Sequence, residues 1–238
     1  MTAMKHNPIY IIPARGGSRG IPRKNVKLLG GKPVIVYTIE AARGTGVLDN
    51  RILLSTDDVE IARISTETTG LAIPFMRPAE LATDTAGSRE VILHAMDWAD
   101  KNGITYDCVV LLQPTSPLRT STDIIEAVDL YHEGVDMVVS VTQAPCNPYY
   151  DCFEIDADGG TLHVSKGSGL YTRRQDVPPA WVYNGAIYVI NPDSIRKMPL
   201  GAFPVKVPYI MPAERSVDLD TQFDWIIAEN IISHINDL

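Results

Sequence analysis

Cysteine is scarce in this sequence. The 238 residues hold three, Cys108, Cys146 and Cys152. That is an odd number with no C-x-x-C spacing, so neither a disulfide framework nor a zinc site is suggested. Cys108 opens an apolar run and reads as core. Long hydrophobic runs are also missing, and none approaches the ~20 residues that cross a bilayer. The N-terminus, MTAMKHNP, has no apolar segment of the secretory kind. A cytoplasmic protein with no membrane partner is expected. Positive charge is in short supply: 21 Lys and Arg face 29 Asp and Glu, a formal net charge of −8. This excludes a general nucleic-acid or membrane-surface binder, which needs a basic face. Two nucleotide signatures are absent as well, G-x-x-x-x-G-K-[ST] and G-x-G-x-x-G, so the chain carries neither a Walker loop nor a dinucleotide fingerprint.

What is present is a 45% hydrophobic chain, long enough for one large α/β domain. Its most informative stretch is Ile9 to Asn25. The apolar run Ile9–Ile12 reads as a buried strand. It enters a loop with Gly16, Gly17 and Gly20 among Arg15, Ser18, Arg19, Arg23 and Lys24. Glycines let backbone amides turn toward a ligand, and amides beside cations form an anion nest. Two readings stand for this segment: a solvated basic loop, or a phosphate cradle at a strand end.

Along the chain, Pro33 is placed as the first residue of a helix through Ala42, and Ile52–Leu54 is a buried strand. Asp57 with Glu60 resembles a capping pair for the next helix. Ala72–Met76 is expected as a short third strand, at an edge because of Pro74. Arg77–Ser88 reads as a loop, followed by a helix with Val91, Ile92, Ala95, Trp98 and Ala99 on one face. Val109–Leu112 is a fully apolar strand of the kind found in parallel sheets. The prolines of Gln113–Arg119 hold the following loop extended. Ser121 or Thr122 caps a helix over Asp123–Glu133, and Met137–Val141 is another strand. Strands alternating with helices predict a three-layer αβα domain with a mostly parallel sheet. In such sheets ligands sit beyond the carboxyl ends of strands. The Gly-rich loop, Arg77–Ser88 and Gln113–Arg119 all fall there.

The rhythm breaks over residues 144–180. Phe153–Ile155 and Thr161–Val164 predict a hairpin around Asp158-Gly159-Gly160, and the segment reads as an insertion projecting from the core. Arg173-Arg174 is either a solvated pair or, beside Trp181 and Tyr183, a bidentate carboxylate clamp. Asn184–Ile190 and Val205–Val207 return to strand. A final helix from Thr221 is expected to bury Phe223, Ile226, Ile227 and Ile231. Just before it, Asp218 and Asp220 stand two apart, which in extended chain puts both carboxylates on one side. Paired hard oxygens suit Mg²⁺ in contact with phosphates; alternatively Asp220 caps the helix.

ARGGSRGIPRKN, RPAEL with DTAGS, LLQPTSPLR, TRRQD, NGAIY and SVDLD, in that order, resemble the cytidylyltransferases that activate sialic acid and related nine-carbon keto-sugar acids as CMP-sugars. The resemblance runs from Ile11 to about Glu229. It implies a nucleotide-diphospho-sugar transferase-like fold and one catalytic domain whose insertion at about 144–180 serves dimerisation and sugar binding. It implies a homodimer acting on CTP and a nine-carbon keto-sugar acid, with Mg²⁺ as cofactor and pyrophosphate as product. By the same resemblance Arg15, Gly16, Gly17, Ser18, Lys24 and Asn25 match the nucleotide loop, and Arg77 and Ser88 lie near the cytidine. Gln113 and Tyr188 face the sugar, and Arg174 reaches it across the dimer. Asp218 and Asp220 hold the metal. Arg15 and Lys24 act on the leaving pyrophosphate, and Asp220 is also a candidate general base. Arg19 stands where many members have lysine, which keeps the charge. Some sialic-acid enzymes have a Phe-Phe pair in the N-acyl pocket, where this chain has Phe203-Pro204. The acid sugar is therefore N-acetylneuraminate-like or a legionaminic, pseudaminic or octulosonic acid. Two other classes are a dinucleotide-dependent oxidoreductase, disfavoured by the missing fingerprint, and a non-catalytic nucleotide-binding module.

Overall fold

The structure, a computed structural model, describes residues 5–17, 20–83 and 87–236. In chain order the elements are β1 (Pro8–Pro13), β2 (Leu28–Leu29), β3 (Lys32–Pro33), α1 (Val34–Arg43), β4 (Ile52–Ser55), α2 (Val59–Thr69), α3 (Ser88–Lys101) and β5 (Cys108–Leu112). There follow α4 (Ser121–Asp129), β6 (Met137–Gln143), β7 (Phe153–Ile155), β8 (Leu162–Val164), β9 (Trp181–Ile190), α5 (Pro192–Lys197), β10 (Lys206–Ile210) and α6 (Gln222–Asn236). Six strands form one sheet in the order β10-β6-β9-β5-β1-β4. β1 lies parallel to β4 and β5, with Tyr10 opposite Ile52 and Ile9 opposite Val109. β6 lies parallel to β10. β9 alone is reversed, antiparallel to both β5 and β6. The mostly parallel sheet of the sequence reading is thus observed.

Alternation along β1 builds the layers, because successive side chains leave a strand on opposite faces. Tyr10 and Ile12 pack with Ile35 and Ile39 of α1 and Ile124 and Val128 of α4. Ile9 and Ile11 pack on the other face with Ile92, Ala95 and Met96 of α3 and Ile195 of α5. A third cluster joins Ile21 of the basic loop to Leu219 and to Trp225, Ala228 and Ile232 of α6. It docks the C-terminal helix against the loop after β1.

Several local expectations are corrected. Ala72–Met76 is not a strand: Pro74 has no N–H to give a ladder, and the segment is held to the sheet's end by the Arg77 amide on the Thr56 carbonyl at 2.7 Å. Helix α1 starts at Val34, with Pro33 as its N-cap residue. Asp58, not Asp57, caps α2, accepting from the amides of Glu60 and Ile61. Thr120 caps α4 through a capping box with Asp123. α6 is rotated from its expected phase, burying Trp225, Ala228 and Ile232 while Phe223 and Ile226 are exposed. Between β6 and β9 the β7–β8 hairpin pairs Glu154 with His163, as expected for the insertion. Among the described residues no helix is long and apolar enough to cross a membrane.

Candidate functional site

The basic loop leaves β1 at the carboxyl end of the sheet. Ala14 still donates to the Ser55 carbonyl at 2.9 Å, after which the chain turns away. Asn25, buried, donates from Nδ2 to the Arg15 carbonyl at 3.0 Å and so staples the loop's two ends. Arg23 takes a left-handed backbone, φ 55°, and its guanidinium pairs with Asp58 and Glu60. Lys24 is nearly buried, with 11% of its side chain exposed. Its Nζ donates to the Leu219 carbonyl at 2.5 Å and lies 3.4 Å from Asp220 Oδ1. Gly20 permits this closure, because a Cβ there would stand 1.9 Å from the Asp220 carbonyl oxygen. The Gly16 amide donates to Asp57 Oδ1 at 3.0 Å, and Gly16 does not line the cavity above the loop. Ser18 lies outside the described residues.

Above the loop is a cavity of about 430 Å³. The loop supplies Arg15, Gly17, Lys24 and Asn25 to its lining. Arg77, Gly87, Ser88, Gln113, Thr115 and Asp220 line it as well. Ser88 opens α3, whose N-cap Gly87 offers no side-chain cap. The first-turn amides there lack intrahelical partners and favour negative charge. Arg77 is buried and aimed by two bonds, Nε to Ser55 Oγ at 3.0 Å and Nη2 to the Ser55 carbonyl at 2.6 Å. Burial pulls its pKa down, with Asp57 opposing and Arg15 adding. The cations expected to meet a nucleotide therefore share one cavity with Gln113.

Arg119 organises the Gln113–Arg119 loop, a role the sequence reading missed. Its Nη1 donates to the Gln113 carbonyl at 2.7 Å and the Ala186 carbonyl at 2.9 Å, and Nη2 donates to Thr38 Oγ1. One side chain thus ties the loop to β9 and α1. Burial pushes its pKa down to about 9, against the charges of Asp218 and Asp123. Its signal in sequence was a lone arginine closing a proline-rich loop between apolar elements. Arg119→Ala leaves buried carbonyls without a donor, offset in part by release of a desolvated cation. A stability loss of about 2 kcal/mol is expected, read as a lower denaturant midpoint at unchanged slope.

The two aspartates are disposed differently. Asp220 donates its amide to the Asp218 carbonyl at 3.0 Å, so the segment is a tight turn and not plain extended chain. Asp220 opens to the cavity with 73% of its side chain exposed. Asp218 is mostly buried, and its carboxyl stands over Gly185, where a Cβ would lie 3.1 Å from Oδ2. Gly185 has φ +74° and sits beside the register shift in the β6–β9 pairing, so the strand irregularity makes room for the carboxylate. Burial raises the Asp218 pKa; the like charge of Asp220 adds to this, while the Thr115 hydroxyl and Lys24 oppose it. The capping alternative for Asp220 is removed: Thr221 caps α6, its Oγ1 accepting from Asp224 N at 3.3 Å while Asp224 Oδ2 accepts from Thr221 N at 2.7 Å.

These residues fit a divalent cation. Asp218 Oδ1 is buried with no hydrogen-bond partner among the described residues, and the neighbouring carboxylates repel. No group of three or more acidic, His or Cys ligands gathers among the described residues. Two carboxylates with the remaining positions left to water and phosphate is the donor set Mg²⁺ prefers.

Tyr188 and Arg174 do not line this cavity, although Tyr188 pairs across the sheet with Leu111, which does. Tyr188, on β9, is half-buried, its hydroxyl pushed up to about 12 by burial and then by the charge of Asp218. Its ring meets that of Tyr183 edge-on at 6.3 Å. Arg174 borders a second cavity of about 660 Å³ with Gln143, Trp181 and Met211. Its Nη2 donates to the Pro145 carbonyl at 3.1 Å and to Asp151 Oδ2 at 3.0 Å.

Fold and site together define an α/β protein with a cationic cavity at the carboxyl ends of parallel strands. A family model described as Cytidylyltransferase matches residues 9–188, and the chain belongs to that family. It is 36% identical over 230 residues to an N-acylneuraminate cytidylyltransferase of Streptococcus agalactiae serotype V, covering 96% of this chain and 53% of that protein. It is 32% identical to a CMP-N,N'-diacetyllegionaminic acid synthase of Legionella pneumophila, covering 94% of this chain and 95% of that one. The chain thus spans about half the length of the streptococcal relative. The solved structure of a CMP:2-keto-3-deoxy-manno-octonic acid synthetase complexed with CTP shares the fold, with a TM-score of 0.68 at 16% identity over 97% of this chain and 99% of that one.

Proposed function

We propose that the chain transfers CMP from CTP to the anomeric hydroxyl of a nonulosonic acid, releasing pyrophosphate. The observation that carries this reading is the convergence of Arg15, Lys24, Arg77 and Asp220 on one cavity at the carboxyl ends of β1 and β5 in a chain of the cytidylyltransferase family. The hydroxyl oxygen attacks the α-phosphorus, the bond to the bridging oxygen breaks, and pyrophosphate takes the electron pair. The protein contributes positioning and charge neutralisation. Arg15 and Lys24 hold the β- and γ-phosphates. Arg77 and the α3 N-terminus with Ser88 border the nucleotide, and Gln113 faces the sugar. Asp218 and Asp220 would hold Mg²⁺, which supplies charge neutralisation at the α-phosphate when bound. Asp220, the exposed carboxylate, accepts the hydroxyl proton.

Arg174 is assigned to the acid sugar's carboxylate in a homodimer, where the insertion of one copy faces the cavity of the other. Exposed apolar side chains of the insertion, Phe153, Ile155, Leu162 and Leu170, support an interface there. Arg174→Lys keeps the charge and loses the planar fork. The sugar KM is expected to rise about tenfold, the scale of one charge-assisted hydrogen bond, with the CTP KM unchanged. Equal changes in both constants count against the assignment, and a fully active monomer on dilution counts against its position across a dimer. The overall reading is tested by pyrophosphate release with CTP and a panel of neuraminic, legionaminic, pseudaminic and octulosonic acids. CTP binding with no release on any of them returns the chain to a nucleotide-binding module.

A further inference from the structure

Asn184 and Gly185 sit at the register shift of the β6–β9 pairing, and both face the segment that carries Asp218. Asn184 is buried, and its side chain is bonded at both ends inside the protein. Oδ1 accepts from the Ser140 hydroxyl at 2.6 Å and from the Ala186 amide at 3.2 Å. A backbone amide only donates, so the atom facing it is the oxygen, and the side-chain nitrogen points the other way. That Nδ2 donates to Ser216 Oγ at 2.9 Å. The Ser216 hydroxyl gives its single proton to the Pro212 carbonyl at 2.8 Å, so it meets Asn184 as an acceptor. Ser140 in turn accepts from the Ile187 amide at 2.8 Å. A chain of hydrogen bonds thus runs from β6 through β9 to Ser216, two residues before Asp218.

On the other side of Asp218, the Leu219 amide donates to the Thr115 carbonyl at 2.8 Å. The aspartate is therefore pinned from both directions along the chain, by Ser216 to β9 and by Leu219 to the loop after β5. Gly185 leaves the space its carboxylate fills. Asp218 Oδ1 has no hydrogen-bond partner among the described residues, so the backbone pins, and not a bond to that oxygen, set where it stands. We propose that Asn184 and Ser216 are positioning residues that hold the Asp218 carboxylate in place for a divalent cation. The inference rests on the reading above, in which Asp218 and Asp220 are the metal ligands. Mg²⁺ tolerates little departure from octahedral geometry, so releasing one of two pins on a ligand lowers its affinity. Neither Asn184 nor Ser216 supplies a ligand itself; both act through the backbone between Ser216 and Asp218.

The test uses variants of the full chain and a readout other than turnover, calorimetric titration of Mn²⁺ in the presence of CTP. Ser216→Ala removes the acceptor. Asn184→Asp keeps the size and turns the donor into a second acceptor facing Ser216. Each is expected to raise the Mn²⁺ Kd about tenfold, the lower end of the loss when a partner supporting a metal ligand is removed. CTP affinity without metal is expected to stay unchanged. The double variant is expected to lose no more than either single one, because both cut the same bond. Ser216→Thr, which keeps the hydroxyl, is expected to bind Mn²⁺ like the unsubstituted chain. Ser216 is only partly buried, so Ser216→Ala carries the test even if a carboxylate at position 184 prevents folding. A normal Mn²⁺ isotherm in Ser216→Ala, with or without a lowered denaturant midpoint, overturns the inference and leaves the metal reading standing. Additive losses in the double variant also overturn it. A flat isotherm in the unsubstituted chain is a different failure: it removes the metal from Asp218 and takes this role with it.

Discussion

Asp220→Asn is expected to lower turnover about 100-fold or more at saturating Mg²⁺ with little change in thermal stability. The size follows from the several kcal/mol of transition-state charge stabilisation that a bound metal supplies. The structure sharpens the test, because a capping role no longer competes: Thr221 and Asp224 close the start of α6 between themselves. Near-normal turnover in Asp220→Asn would reject the metal role outright. Asp218→Asn is expected to lose activity to a similar degree, yet to leave stability unchanged or raised. Its carboxylate is mostly buried with an unpartnered Oδ1, so the neutral amide removes a desolvated charge that folding must carry. Loss of activity together with loss of stability would instead assign Asp218 a structural role. Calorimetric titration of Mn²⁺ in the presence of CTP, with Mn²⁺ standing in for Mg²⁺, separates the two. Both variants should weaken the metal isotherm, and chelation should silence the unsubstituted enzyme.

The parts of the fold that were legible were those written in runs of apolar β-branched residues. Ile9–Ile12, Ile52–Leu54, Val109–Leu112 and Met137–Val141 all lie within sheet strands, because a strand buried on both faces must be apolar throughout. Direction is not written in such a run. β9 looks like its neighbours in sequence, and only its pairing reveals that it is reversed. α6 failed for a related reason. Phe223, Trp225, Ile226, Ile227, Ile231 and Ile232 surround much of the helix, so periodicity cannot select the face that docks on Ile21 and Leu219. The adjacent acids Asp57 and Asp58 were indistinguishable as caps until their donors were seen: Asp58 takes the α2 amides, and Asp57 takes that of Gly16. The cavity was legible as three loops at one end of a sheet. The Asn147 turn that holds Arg174 was not, because it depends on hydrogen bonds from Asn147 to Pro178 and from Arg174 to Asp151, made far from neighbouring sequence.

Lys24→Ala is expected to cost about 1.5–3 kcal/mol in transition-state binding, the scale of one hydrogen bond to a charged group. That is about 10- to 150-fold in kcat/KM for CTP. The lysine lines the cavity and bears its charge where a triphosphate's distal oxygens are proposed to sit. Its ammonium also donates to the Leu219 carbonyl at 2.5 Å, tying the loop to the segment that carries Asp218 and Asp220. A purely structural lysine would predict a different pattern. The variant would unfold earlier by about 1 kcal/mol for the lost bond, and CTP and sugar constants would worsen together as the cavity lining loosened. A phosphate contact predicts a loss concentrated in CTP, with the sugar KM nearly unmoved. CTP affinity of the variant should also fall less steeply as salt is raised, since one fewer cation is screened. Measuring the CTP constants at two ionic strengths beside a denaturant midpoint separates the alternatives. Unchanged CTP constants with a lowered midpoint would leave Lys24 as an anchor alone and would return the phosphate role to Arg15.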